Sequence, residues 1–193
     1  MARRPRLEVA PGLFHVNARG NRRQPIVLAS SDVAHFFANL DGVVRTLNWK
    51  CYAYAVMPNH YHLLVETTTP NLGDGMRRLN GDYARWFNRR YGFGGHLFQD
   101  RFHSAAVESD RHLLELSRYI VVNPVRAGLC QHVEDWPWSS YRPAVGLASE
   151  PRFLSSDRLL GHFGRTRRAA RKRYATFVLD APVRAMRGTD GRW

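Results

Sequence analysis

Cysteine is nearly absent from this chain. There are two, Cys51 and Cys130, and no C-x-x-C pair. That excludes a disulfide framework and a cysteine-built zinc site, and it fits a reducing cytoplasm. No apolar run approaches the ~20 residues of a membrane span, so no membrane role is expected. The opening MARRPRLEVAPG is basic but lacks the apolar stretch of a signal peptide, and reads as a solvated arm. There is no G-x-x-x-x-G-K-[ST] loop, which argues against a nucleotide cofactor. The acids are scattered, whereas a metal nuclease that activates water needs clustered carboxylates. Lysine occurs only at Lys50 and Lys172.

Arginine is what the sequence has in plenty. Lys and Arg number 29 against 16 Asp and Glu, a formal net charge of +13. A genome biased toward GC can write Arg for Lys, but it does not create the net excess. Arg makes bidentate phosphate contacts and stacks on bases, so nucleic acid is the partner implied.

A length of 193 residues suits one domain, or one domain with an appendage. Residues 12–20, GLFHVNARG, alternate Leu13, His15 and Asn17 with Phe14, Val16 and Ala18, as a strand does. Ser31 reads as the N-cap of a helix whose apolar face runs Val33, Phe36, Phe37, Leu40, Val43, Val44 and Leu47. KCYAYAVM (50–57) and HYHLLVET (60–67) form a hairpin candidate across a Pro-Asn turn. Residues 71–92 are helical, with Leu72, Met76, Leu79, Tyr83, Trp86 and Phe87 on one stripe. The glycines in that helix weaken it by ~1 kcal/mol each, and the period outweighs them. Residues 95–109 suggest a bulged strand, and residues 110–124 a helix ended by Pro124. Strand, helix, strand, strand, helix, strand is the split βαβ, ferredoxin-like order. The expected class is α+β, an antiparallel sheet with helices packed on it. A main domain spans 1–145, and a basic helical extension spans 146–193 with the run RTRRAARKR (165–173).

Residues two apart on a strand share a face. His60 and His62 therefore project side by side, away from Tyr61, Leu63 and Val65. Two neutral imidazoles so placed can share a divalent ion, although a hydrogen-bonded or solvated pair has the same spacing. Tyr119 and Asn123 lie four apart, on one helical face. Alone, that tyrosine could be a packing edge and that asparagine a helix stop. Together the four suggest a role. A phenol can attack a phosphodiester when a metal polarises the phosphate. Asn123 could add a carbonyl oxygen to His60 and His62, and such an open N/O site suits Mg²⁺ or Mn²⁺ better than closed zinc.

YAVMPNHYHLLVE, GHLFQDRF, LLELSRYIVVNPVRAGL and DWPWSSYR resemble segments of the REP-associated tyrosine transposases. These are stand-alone relatives of the small IS200-like, single-tyrosine transposases in the HUH superfamily. His60-Tyr61-His62 matches the H-hydrophobic-H motif, and Y-x-x-x-N-P-V-R-A-G-L matches from Tyr119 to Leu129. The likeness runs from Arg3 to at least Tyr141. It implies that His60 and His62 bind a metal, that Tyr119 is the nucleophile and that Asn123 is the third ligand. It implies a ferredoxin-like core, with single-stranded DNA bearing hairpins from repetitive palindromes as substrate. Such DNA would be cleaved and rejoined through a 5′-phosphotyrosine, by a cytoplasmic, nucleoid-associated protein. A monomer is expected, with Tyr119 acting on its own or a partner's histidines. The alternative is a domesticated, non-catalytic regulator that grips palindromes.

Arg19, Arg22 and Arg23 follow the first strand, and Arg77, Arg78, Arg85 and Arg89 line the polar face of the second helix. All seven are candidates for gripping a DNA backbone. Trp136, Trp138 and Tyr141 could stack on bases, though packing suits them better.

Overall fold

The structure is a computed structural model that describes residues 10–180. The proposed domain ends, 1–9 and 181–193, lie outside the described residues, as does the basic opening arm. In chain order the elements are β1 (Gly12–Arg19), α1 (Ser30–Thr46), β2 (Lys50–Met57), β3 (His60–Thr67), α2 (Leu72–Tyr91), β4 (His103–Ala106) and α3 (Asp110–Arg126). Three shorter helices follow, α4 (Tyr141–Val145), α5 (Ser156–Gly161) and α6 (Arg167–Leu179). The strands form one antiparallel sheet in the order β2-β3-β1-β4, the ferredoxin-like arrangement.

The pleat sorts the side chains. Val16 and Ala18 of β1, Tyr54 and Val56 of β2, and Tyr61, Leu63 and Val65 of β3 face α1 and α2. They meet Phe36 and Leu40 of α1 and Met76, Leu79, Tyr83 and Phe87 of α2. Ala53, Ala55 and Leu64 face the other way, into a second core with Leu113, Ile120 and Val121 of α3. That core also takes Leu159 and Leu160 of α5 and Ala170, Tyr174 and Val178 of α6. The segment after residue 146 thus shares its core with α3 and the sheet. Among the described residues, no helix is long and apolar enough to cross a membrane.

The β2 edge of the sheet is covered. The Val56 N–H donates to the Trp138 carbonyl at 2.9 Å, and the Ser140 N–H donates to the Tyr54 carbonyl at 2.9 Å. Further along, the Ser155 N–H donates to the Cys51 carbonyl at 2.7 Å. The Trp136 indole donates to the Val56 carbonyl, and Tyr141 is buried, so these aromatics pack rather than stand open.

Three local expectations are corrected. The N-cap of α1 is Ala29, not Ser31. The buried Asp32 carboxylate does the capping, accepting from the Leu28 and Ala29 N–H groups at 2.8 and 2.9 Å, and it also accepts from Tyr91 Oη. Of 95–109, only His103–Ala106 is strand. Phe98 bridges Gly20 and His103 pairs with Asn17, so residues 99–102 face only Ala18 and Arg19 and must bulge outward. Pro124 does not end α3, which continues to Arg126. Proline lacks one N–H, but the buried ring packs inward and the Ala127 N–H still reaches the Asn123 carbonyl at 2.9 Å. The stop comes at Gly128, whose φ of 71° suits glycine.

Candidate active site

Strand register brings the site together. On the face turned toward α3, His62 lies opposite Asn17 and His60 opposite Arg19. His15 lies one step further along the same face of β1. From α3, Tyr119, Asn123 and Arg126 project as one stripe at i, i+4 and i+7, while Leu113, Ile120 and Val121 anchor the helix in the core. Between them lies an open cleft of about 610 Å³, lined also by Arg19, Arg23 and Leu129, with no acidic side chain in its wall among the described residues. The Tyr119 ring centre is 5.6 Å from that of His62, and the two imidazoles of the pair are 5.2 Å apart.

The hydrogen bonds fix which ring nitrogens face the cleft. Asn59, in the turn before β3, donates from Nδ2 to the Arg23 carbonyl at 3.1 Å. Its Oδ1 must then accept from His60 Nδ1, 2.6 Å away, which leaves the His60 Nε2 lone pair free for a ligand. His62 Nδ1 is 3.0 Å from His15 Nε2, and His62 Nε2 is 3.3 Å from Asn123 Nδ2. With the amide as donor at Nε2, His62 Nδ1 carries the proton and donates to His15. Both histidines therefore aim Nε2 lone pairs at the cleft. Turning the Asn123 amide over exchanges Nδ2 for Oδ1, which makes it an oxygen donor at the same place. This set fits a divalent cation: two oriented neutral imidazoles and an amide, with room for other ligands.

Electrostatics favour the ligating form. Burial, then the Arg19 charge, lowers the His60 pKa to about 4. Burial, followed by His15, His60 and Arg19, holds His62 well below the ordinary histidine range. Both imidazoles are thus neutral near pH 7. Arg19 is itself lowered by burial and then by Arg23, and raised by Tyr119. The Arg126 guanidinium carbon lies 5.3 Å from the Tyr119 ring centre, and its Nη1 is buried with no hydrogen-bond partner among the described residues.

The structure brings His60, His62, Tyr119 and Asn123 together, along with Arg19 and Arg23. Arg22 stands in the exposed turn beside them, where it and Arg23 adopt left-handed φ of 52° and 60°. That turn closes on Gly20, where a Cβ would overlap the Gln24 carbonyl oxygen. Arg77, Arg78, Arg85 and Arg89 lie on α2, across the sheet from the cleft. Arg77 pairs with Asp74 and Arg85 with Asp82, both at the surface. Sequence reasoning missed His15 and Arg126. The alternation of β1 already placed His15 and Asn17 on one face. Arg126 follows Asn123 at helical spacing, but a helix ending at Pro124 would not carry that spacing as far as Arg126.

An H-x-H pair on a ferredoxin-like sheet, faced by a helical tyrosine over a basic cleft, defines a class of protein. Residues 12–123 match the family model described as Transposase IS200 like, and the chain belongs to that family. It is similar to a REP-associated tyrosine transposase of Escherichia coli (strain K12), 26% identical over 138 residues, which is 72% of this chain and 80% of that protein. A putative REP-associated tyrosine transposase of Haemophilus influenzae is 30% identical over 105 residues, covering 48% of this chain and 59% of the relative. In fold it is similar to the solved structure of a REP-associated tyrosine transposase bound to a REP hairpin, with a TM-score of 0.63 and 21% identity. That match covers 80% of this chain and 92% of the other.

Proposed function

We infer that this transposase cuts and rejoins single-stranded, hairpin-bearing DNA, with Tyr119 as nucleophile. The observation that carries the reading is the meeting of Tyr119, two neutral histidines and Asn123 in an arginine-lined cleft with no carboxylate among the described residues. The solved relative's REP hairpin supports a palindromic partner of that kind. The short distance from Tyr119 to His62 within one chain supports a monomer acting in cis. Free Cys51 and Cys130 fit a reducing cytoplasm, and binding to DNA would place the protein at the nucleoid.

Arg19 and Arg23 draw in the DNA backbone and neutralise its charge. Tyr119 Oη forms a bond to phosphorus as the bond from phosphorus to the 3′ oxygen breaks. Water carries the phenol proton away, and the departing 3′ oxygen takes one up. The products are a 5′-phosphotyrosine and a free 3′-OH. The phosphotyrosine is still a diester, so an incoming 3′-OH reverses the step and joins strands without fuel. Asn59 and His15 keep the His60 and His62 lone pairs aimed at the cleft. His60, His62 and Asn123 would hold Mg²⁺ or Mn²⁺, which polarises the phosphate and stabilises the leaving oxygen.

The test uses hairpin-bearing single-stranded oligonucleotides with Mn²⁺ and a denaturing gel. Wild type should form a covalent adduct. Tyr119→Phe should form none while still binding the DNA, because the phenol oxygen is lost and the arginines remain. If Tyr119→Phe still cuts, the nucleophile is water. If wild type binds hairpins but neither cuts nor forms an adduct, the protein is a palindrome-gripping regulator.

A further inference from the structure

We propose that Arg126 is a catalytic residue that takes a non-bridging oxygen of the scissile phosphate and holds it against Tyr119. The proposal rests on the reading of Tyr119 as the nucleophile. Three observations carry it. The first is placement: Arg126 lies two helical turns after Tyr119, and its guanidinium carbon stands 5.3 Å from the phenol ring centre, inside the same cleft. Only the continuation of α3 past Pro124 puts it there.

The second is an unmet donor. Arg126 Nη1 is buried and has no hydrogen-bond partner among the described residues. A buried guanidinium N–H without an acceptor is costly, and water or a ligand ordinarily supplies the partner. The neighbouring Arg118 uses both terminal nitrogens within the fold, on Glu115 and on the Phe177 carbonyl at 3.3 Å. Arg118 Nε and Arg171 Nε are unmet too, but neither residue lines the cleft, whereas Arg126 does.

The third is the cleft's composition. Among the described residues no Asp or Glu lines it, so none of their carboxylates there can serve as the missing acceptor. An anionic oxygen brought by the substrate can. As Tyr119 Oη closes on phosphorus and the bond to the 3′ oxygen opens, negative charge builds on the non-bridging oxygens. A fixed guanidinium at that point stabilises the transition state more than the ground state. The phenol proton still leaves to water, and the 3′ oxygen still takes up a proton.

The test compares wild type, Arg126→Met and Arg126→Lys in single-turnover adduct formation with Mn²⁺. Arg126→Met keeps a long side chain over Tyr119, and thermal melting checks its fold. Its rate should fall ~100-fold, the loss typical of one transition-state donor. Arg126→Lys should recover part of the rate, since it keeps the charge without the planar fork. Hairpin affinity should stay within ~3-fold, because other arginines carry most backbone contacts. The discriminating arm uses DNA with a methylphosphonate at the scissile position, which removes the charged oxygen. On that DNA the gap between wild type and Arg126→Met should shrink to ~3-fold. A rate within ~3-fold of wild type for Arg126→Met on ordinary DNA would overturn the proposal. So would a deficit equally large on methylphosphonate DNA, which would mean that Arg126 only packs against the ring. No adduct from wild type on any hairpin DNA would overturn the Tyr119 reading and this proposal with it.

Discussion

Gly75→Ala sets two known effects against each other. Alanine in place of a helical glycine gains ~1 kcal/mol of helix propensity. At Gly75 a Cβ would overlap the Trp49 ring at Cζ2 and Cη2, and would lie 3.0 Å from Leu47 Cδ1. Trp49 cannot easily retreat. It is 3% exposed, and its indole donates to Asn71 Oδ1 at 2.6 Å, while Asn71 Nδ2 donates to the Leu47 carbonyl. Overpacking a site held this way costs up to ~3 kcal/mol. Packing wins, with a net destabilisation of ~2 kcal/mol. For a chain of this size that lowers the melting temperature by ~4–8 °C. Gly81, on the same helix, is the control. A Cβ there meets only Arg85 Nη1, at an ordinary 3.5 Å, so Gly81→Ala should raise the melting point by ~2–4 °C. Thermal melts followed by circular dichroism decide between them. A Gly75→Ala protein that melts at or above wild type would refute the argument, because propensity would then have beaten the indole.

Stability should depend on pH through His60. The unfolded imidazole takes a proton near pH 6.5, but the folded one only near 4, so between those values the unfolded chain binds more protons. Stability is therefore full above about pH 6.5 and falls on the order of 3 kcal/mol as the pH drops toward 4. Urea midpoints for wild type and His60→Gln at pH 7 and pH 5 test this, and equal slopes would count against it. His15→Leu removes the partner of His62 Nδ1 and should weaken Mn²⁺ binding ~10–100-fold by calorimetry, with hairpin affinity unchanged. Unaltered Mn²⁺ affinity would show that His15 does not orient the ligand. Asn123→Ala should weaken the metal less than His62→Ala, since water can replace one neutral ligand, and the reverse order would remove Asn123 from the ligand set.

Periodicity made most of the fold legible. β2 and β3 have the expected bounds, because Cys51 to Val56 and Tyr61 to Val65 form buried runs beside a Pro-Asn turn. The His60 and His62 pair was readable for the same reason, since a period of two fixes a face. What pattern alone could not supply was the choice between neighbours. Ser31 and Asp32 can both cap a helix, and only tertiary contacts from Tyr91 and Arg90 select the carboxylate. Local rules put the end of α3 at Pro124, where packing of the ring overrode them. The arginines of α2 share a polar stripe, but a stripe does not say which side of the sheet its helix will cover. His15 meets His62 only through the register of β1 with β3, a contact 47 residues away in sequence.

The covered β2 edge has a consequence for how the protein is made. KCYAYAVM is apolar, aromatic and free of proline, with its one charge at the end. Such a strand pairs readily with any exposed neighbour when its outer N–H and C=O groups are open. Its natural cover comes from Trp138, Ser140 and Ser155, which leave the ribosome long after the strand does. At ordinary synthesis rates that interval is ~5–20 s, during which the hairpin can form but its outer side stays bare. Nascent chains stalled within residues 60–135 should therefore depend on chaperones and aggregate without them, and a fragment ending at 135 should associate strand to strand although it keeps His60, His62, Tyr119 and Asn123.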